Sequence, residues 1–115
     1  MVQMNFQEII EAIKVKPYYL DLEAGQAIYC ADCRAILPMI PDKSIDLVLT
    51  DPPYGIDYKP SSYNPYSVFK QVKGDDTVFD PRPLLVYESV ILWGANNYTE
   101  HLPKGGWLCW DKRVI

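Results

Sequence analysis

Residues 45–50, Ile-Asp-Leu-Val-Leu-Thr, run directly into Asp51-Pro52-Pro53-Tyr54. Ile45, Leu47, Val48 and Leu49 leave little room for a polar face, so the run reads as a buried strand. Two successive prolines cannot continue it, because each fixes φ and removes an N–H from the ladder. The strand therefore ends in a stiff turn that presents one acid, backbone carbonyls and one aromatic ring.

The flanking sequence supplies neighbours for that strand. Phe6, Ile9, Ile10 and Ile13 recur at helical spacing, with Glu8, Glu11 and Lys14 between them, which predicts an amphipathic helix over about residues 5–15 ended by Pro17. The stretch "QAIYCADC" reads as a short strand leading to Asp32, and "CRAILPMIPDKS" as a short helix interrupted by Pro38 and Pro41. Strand, helix and strand in that order over about 25 residues suit a parallel β-α-β unit. A poorly bounded helix is expected over about residues 82–89, a third buried strand in "SVILWGANN", a helical turn in "YTEHLPKGG" and a fourth strand in "WLCWDKR". Trp93, Trp107 and Trp110 are expected in the core from these strand positions.

Between these elements, residues 57–80 are rich in Tyr, Pro, Ser and Asp without a sustained period. A loop of that length is usually either functional or disordered. Tyr58, Tyr63, Tyr66 and Phe69 would line a base pocket in the functional case, with Lys59, Lys70 and Lys73 on phosphates.

Bulk properties narrow the class. The 115 residues hold about one small domain. The sequence has no apolar run long enough for a membrane span and no signal-peptide layout at its start, so no membrane partner and a cytoplasmic location are expected. Three cysteines argue against a disulfide framework. Cys30 and Cys33 form a C-x-x-C, but with His101 and Cys109 they fit no standard zinc spacing, and a strand residue followed by a helix start explains them better. A formal net charge of −4 repels nucleic acid unless the basic residues share a face. Lys104, Lys112 and Arg113 are the close positive cluster near the end.

In an open parallel sheet, ligands bind beyond the carboxyl ends of the strands. Asp32, the Asp51-Pro52-Pro53-Tyr54 turn and Asn96-Asn97 after Gly94 all follow predicted strands and are candidates to converge there. The Asp51 carboxylate and the Pro52 carbonyl are two acceptors suited to an exocyclic amine with two hydrogens. Tyr54 adds a flat face for stacking a planar base. Such an amine is a poor nucleophile, because its lone pair is delocalised into the ring. Hydrogen bonds from both of its N–H groups favour the more tetrahedral nitrogen of a transition state over the planar ground state. A Pro-Pro turn after a strand also occurs without any ligand, and Asn96 and Asn97 serve equally well as turn caps.

The segment "IYCADCRAILPMIPDKSIDLVLTDPPYGI" resembles the amino-group DNA methyltransferases that use S-adenosylmethionine, in the class whose catalytic motif precedes the cofactor motif. Asp32, Leu37, Pro38, Ser44, Ile45, Asp46, Leu47, Asp51, Pro52, Pro53, Tyr54 and Gly55 match that pattern, and "ILWGANNYTEHLPKGGWLCWDKR" is similar to the region after the catalytic turn. The resemblance covers roughly residues 27–113. It implies an α/β fold, a partial Rossmann-like methyltransferase fold with a mainly parallel sheet, and methyl transfer to a flipped DNA base as in restriction-modification enzymes. Asp51, Pro52, Pro53 and Tyr54 would form the catalytic turn, and Asp32 and Asp51 would border S-adenosylmethionine. Asp in the first motif position is more usual for adenine N6 than for cytosine N4, and both remain open.

One family feature is missing from the sequence. A Phe-x-Gly glycine loop holds the methionine part of the cofactor in the family, and none precedes Ile115. Residues 1–115 are therefore expected to be the catalytic, N-terminal part of a methyltransferase domain, without its target-recognition segment and glycine loop, and inactive alone. A truncated relative that acts only as a binding module is the alternative. The Asp-Pro-Pro-Tyr pattern also serves methylation of RNA adenine or a glutamine side chain, and "WDKR" with the "AD" before the helix fits the DNA class better.

Overall fold

The computed structural model describes residues 4–59 and 70–113. They fall into two units, one running to Leu47 and including Tyr87–Ser89, the other drawn from Val48–Val86 and Val90–Ile115.

In the first unit, α1 spans Phe6–Ala12. Its start is fixed by a capping box: the Asn5 side chain accepts from the Glu8 N–H at 3.0 Å, and the Glu8 carboxylate accepts from the Asn5 N–H at 2.8 Å. The helix is shorter than its periodicity predicts, because Ile13 already has an extended backbone. Ile13 and Ile36 are the buried apolar residues of this unit. The periodic face of α1 lines one side of an apolar groove of about 540 Å³, with Ile28 and Ile36 also lining it.

A hairpin that the sequence reading did not anticipate follows. Strands β1, Tyr19–Asp21, and β2, Gln26–Ile28, pair antiparallel, with Leu20 opposite Ala27. Strand β2 thus stands in a different two-stranded sheet from the strand before Asp51, and the predicted β-α-β pairing is not formed. The reason is local: Asp21 accepts from the Ala24 N–H at 2.9 Å and tightens the hairpin turn, so the nearest strand becomes the partner. Helix α2, Cys33–Ile36, runs into a 3₁₀ turn at Leu37–Met39 that contains Pro38, as the proline positions require.

In the second unit, β3, Val48–Thr50, pairs parallel with β4, Val90–Leu92, in the register Val48↔Val90, Leu49↔Ile91 and Thr50↔Leu92. The predicted burial holds for one face alone. Val48, Thr50, Val90 and Leu92 are half-buried, while the paired Leu49 and Ile91 are 61% and 44% exposed. Trp93 lies two residues beyond Ile91, on the same face by alternation, and is also exposed. Trp107 and Trp110 are exposed too, because the predicted fourth strand does not form: residues 102–113 carry no regular element. All three tryptophans thus depart from the expected core. A short 3₁₀ turn at Arg82–Leu84 replaces the longer helix predicted there, another at Ala95–Asn97 replaces the end of the predicted third strand, and a third at Thr99–His101 falls in the predicted helical turn. Buried Leu84 and Tyr98 form the core of this unit, together with Pro81. Among the described residues no helix is long and apolar enough to cross a membrane.

Candidate active site

The parallel pairing brings the turns that leave β3 and β4 to the same edge of their sheet. The Trp93 N–H donates to the Thr50 carbonyl at 3.0 Å, which extends the ladder by one bond up to the residue before Asp51. From there one chain enters Asp51-Pro52-Pro53-Tyr54 and the other enters Gly94 and the Ala95–Asn97 turn.

These two turns are in contact. Gly94 adopts a left-handed backbone with φ of 65°, and any Cβ placed there would run into the Cδ1, Cε1 and Cζ edge of the Tyr54 ring. Glycine at 94 therefore serves two needs: a backbone that other residues adopt at a cost, and the space the ring occupies. Pro52 is buried and Tyr54 half-buried, while Asp51 is exposed at the edge. The Tyr54 hydroxyl donates to Asp51 Oδ1. That bond raises the Tyr54 phenol above its ordinary pKa, with burial and the Asp51 charge adding to the effect.

The chain beyond Tyr54 is held by a residue that sequence reasoning missed. Asp75 is 4% exposed, and its carboxylate accepts from the backbone N–H groups of Gly55 at 3.0 Å, Ile56 at 3.3 Å and Tyr58 at 2.8 Å. Its carbonyl accepts from the Asp57 N–H at 2.7 Å. The Tyr58 N–H is the strongest influence holding the Asp75 carboxyl below the usual aspartate range. Burial opposes it, and the N–H groups of Gly55, Ile56 and Tyr54 reinforce it. Gly55 has a φ of 75°, and a Cβ there would come 2.5 Å from the Thr77 carbonyl oxygen, so the turn rests directly on the backbone after Asp75.

On the other side, Tyr98 is 3% exposed and its hydroxyl donates to the Trp93 carbonyl at 2.5 Å. Phe79 packs edge-on against it, with ring centroids 5.1 Å apart and an interplanar angle of 76°. Burial first, then the nearby Tyr54 and Asp51, push the Tyr98 phenol up to about 12. Asn97 donates through its side chain to the Gly94 carbonyl at 3.0 Å, which gives it the turn-capping role. Asp80 is held down at about 2, chiefly by the Arg82 side chain, which it meets through two contacts of 2.8 Å.

Asp32 lies in the first unit, after β2, as the N-cap of α2. Its Oδ1 accepts from the Arg34 N–H at 3.0 Å, and its carboxylate pairs with the Arg34 guanidinium, the closest contact being 2.6 Å. Cys30, Cys33 and Cys109 are free and exposed, and no group of three metal-binding side chains occurs among the described residues. Cys33 begins α2 as the spacing predicts, whereas Cys30 lies just beyond β2. Of the residues expected to line a base pocket or touch phosphates from the long loop, Tyr63, Tyr66 and Phe69 lie outside the described residues; Tyr58, Lys59, Lys70 and Lys73 are exposed.

Comparison with protein-family models, with curated proteins and with solved structures returns no match for this chain.

Proposed function

We propose that this chain is the catalytic part of an S-adenosylmethionine-dependent methyltransferase acting on the exocyclic amino group of a DNA base, adenine N6 before cytosine N4, in the cytoplasm. The observation that carries the reading is the Asp51–Tyr54 pair at the carboxyl end of a parallel strand, with the Tyr54 ring set over Gly94. An exposed carboxylate beside an aromatic ring on a proline-stiffened turn suits a planar amine better than it suits a structural role. The parallel β3–β4 pair is what a mainly parallel, Rossmann-like sheet would contain.

In this reading the target amine takes the place of the Tyr54 hydroxyl on Asp51. One amine N–H points to the Asp51 carboxylate and the other to the Pro52 carbonyl, while the Tyr54 ring stacks on the base. These bonds draw the nitrogen lone pair out of conjugation and aim it away from the turn. S-adenosylmethionine, when bound, supplies an electrophilic methyl group. Asp51 is the acceptor nearest the proton that the nitrogen must lose. Asp32 suits the adenosine hydroxyls as an exposed carboxylate at the start of a helix, and it would share that role with its contacts to Arg34.

The test is methyl transfer from labelled S-adenosylmethionine to DNA by the full-length protein that contains this chain, followed by nucleoside analysis. Methylated adenine that disappears in Asp51→Ala supports the reading, and methylated cytosine selects N4. A folded, cofactor-binding protein that modifies no DNA overturns it in favour of a binding module or another amine.

A further inference from the structure

We infer that Asp75 is the positioning residue of the site: its buried carboxylate gathers the backbone N–H groups of Gly55, Ile56 and Tyr58 and thereby holds the turn that presents Asp51 and Tyr54. The inference rests on the methyltransferase reading for what the turn presents, and on geometry alone for how it is held.

The geometry starts from a problem the prolines create. Pro52 and Pro53 stiffen the entry to the turn but contribute no N–H, so no backbone donor can secure that half. The donors resume after Pro53, where the backbone twists through two left-handed residues, Gly55 at φ 75° and Asp57 at φ 47°. This conformation points successive N–H groups towards one place, a concavity that attracts an anion. Left to solvent, such donors would be satisfied by exchanging water and the turn would sample several shapes. Here a carboxylate from 20 residues beyond Gly55 fills the concavity with bonds of 3.0, 3.3 and 2.8 Å, and the Asp75 carbonyl takes the Asp57 N–H at 2.7 Å.

The two sides of the arrangement cannot be exchanged for similar chemistry. An aspartate offers acceptors only, whereas an asparagine would turn an N–H₂ donor towards N–H donors. The side chain is also short and the site closed. Gly55 already lies against the Thr77 carbonyl and the Val78 Cα, so the turn has little room to shift and accommodate a longer acid. Tyr54 is bonded to Asp51 on one side and joined directly to the clamped Gly55 on the other. Release of the clamp therefore frees the ring as well as the loop.

The experiment compares full-length wild type, Asp75→Asn and Asp76→Asn. The last removes the same charge from the exposed neighbouring residue. Amide hydrogen exchange is read at Gly55, Ile56 and Tyr58, and methyl transfer to DNA is resolved into kcat and KM. The expected result is protection of all three amides in wild type and its loss by about tenfold or more in Asp75→Asn, with exchange in Phe6–Ala12 unchanged. Because misplacement of a catalytic group by about 1 Å costs on the order of a hundredfold, kcat should fall by that order while the KM for S-adenosylmethionine holds. Asp76→Asn should match wild type in both readouts. Unprotected amides in wild type overturn the inference even if Asp75→Asn fails to fold. Retained kcat in a folded Asp75→Asn protein whose turn exchanges freely overturns it as well. An inactive wild type with protected amides that Asp75→Asn exposes supports the clamp and rejects the methyltransferase reading.

Discussion

The Tyr54 hydroxyl donates a hydrogen bond to Asp51 Oδ1 within one turn, so the ring and the acid of the candidate site are coupled to each other. The ring and the hydroxyl then have separable effects. Tyr54→Phe keeps the stacking face and removes the group that competes with an amine for Asp51. It is expected to retain methyl transfer within about threefold, whereas Tyr54→Ala loses the stacking contribution of about 1–3 kcal/mol per base. Values of kcat/KM for the two variants on one DNA substrate check the separation.

Gly94 tests the same ring from beneath. A Cβ at 94 overlaps the Tyr54 ring edge, so Gly94→Ala must displace the ring. The left-handed backbone adds a cost of about 1 kcal/mol for a residue with a Cβ. The expected outcome is a folded protein with a modestly lower Tm, a changed Tyr54 ring environment by NMR, and a loss of activity that matches Tyr54→Ala. Wild-type activity in Gly94→Ala would show that the ring position is irrelevant to turnover.

The two turns differ from the rest of the chain in how far local sequence reaches. Pro52 and Pro53 state their own consequence, and the strand before them ends where they require. The Cys33 helix start, the proline-containing 3₁₀ turn after it and a strand around residues 90–92 were legible for the same reason: each is decided by neighbours within a few residues. Asp75 was not legible, because its partners lie 17 to 20 residues earlier in the chain and its own neighbourhood is a loop without periodicity. A lone Gly-Asp-Asp is a turn signal and nothing more. The tryptophans failed for a different reason. Apolar residues at strand spacing predict burial only when a second layer covers them, and Leu49, Ile91 and Trp93 share an exposed face. The choice of β1 rather than β3 as the partner of β2 was equally beyond a pattern reading, since an apolar run specifies a strand and leaves its neighbour open.

Tyr98 predicts a dependence on alkaline pH. Its phenol titrates near 12 in the folded chain, against about 10 for an exposed tyrosine, because burial disfavours the charged form and Tyr54 and Asp51 lie near. A raised pKa for this group means that the stability it contributes is complete below about pH 10 and is lost as the pH climbs towards 12. Tyr98→Phe removes the bond to the Trp93 carbonyl and should cost about 1 kcal/mol at neutral pH. The gap between wild type and variant should then close as the pH rises above 10 and reverse sign before pH 12, which urea unfolding at a series of pH values measures.

Asp32 caps α2 and is proposed to meet the cofactor, and one substitution separates the observed role from the proposed one. As an N-cap it bonds the Arg34 N–H at 3.0 Å, and asparagine caps a helix about as well as aspartate. Its ion pair with Arg34 is exposed, with side-chain accessibilities of 43% for Asp32 and 82% for Arg34, so solvent screens it and its loss should change stability little. Asp32→Asn is therefore expected to leave Tm nearly unchanged. A cofactor hydroxyl bonded to a carboxylate loses about 1.5–3 kcal/mol when the charge is removed, which weakens S-adenosylmethionine binding by roughly tenfold or more. Calorimetric titration of the full-length protein with S-adenosylmethionine reads this directly. Equal affinity in wild type and Asp32→Asn would restrict Asp32 to capping α2 and move the cofactor contact to another residue.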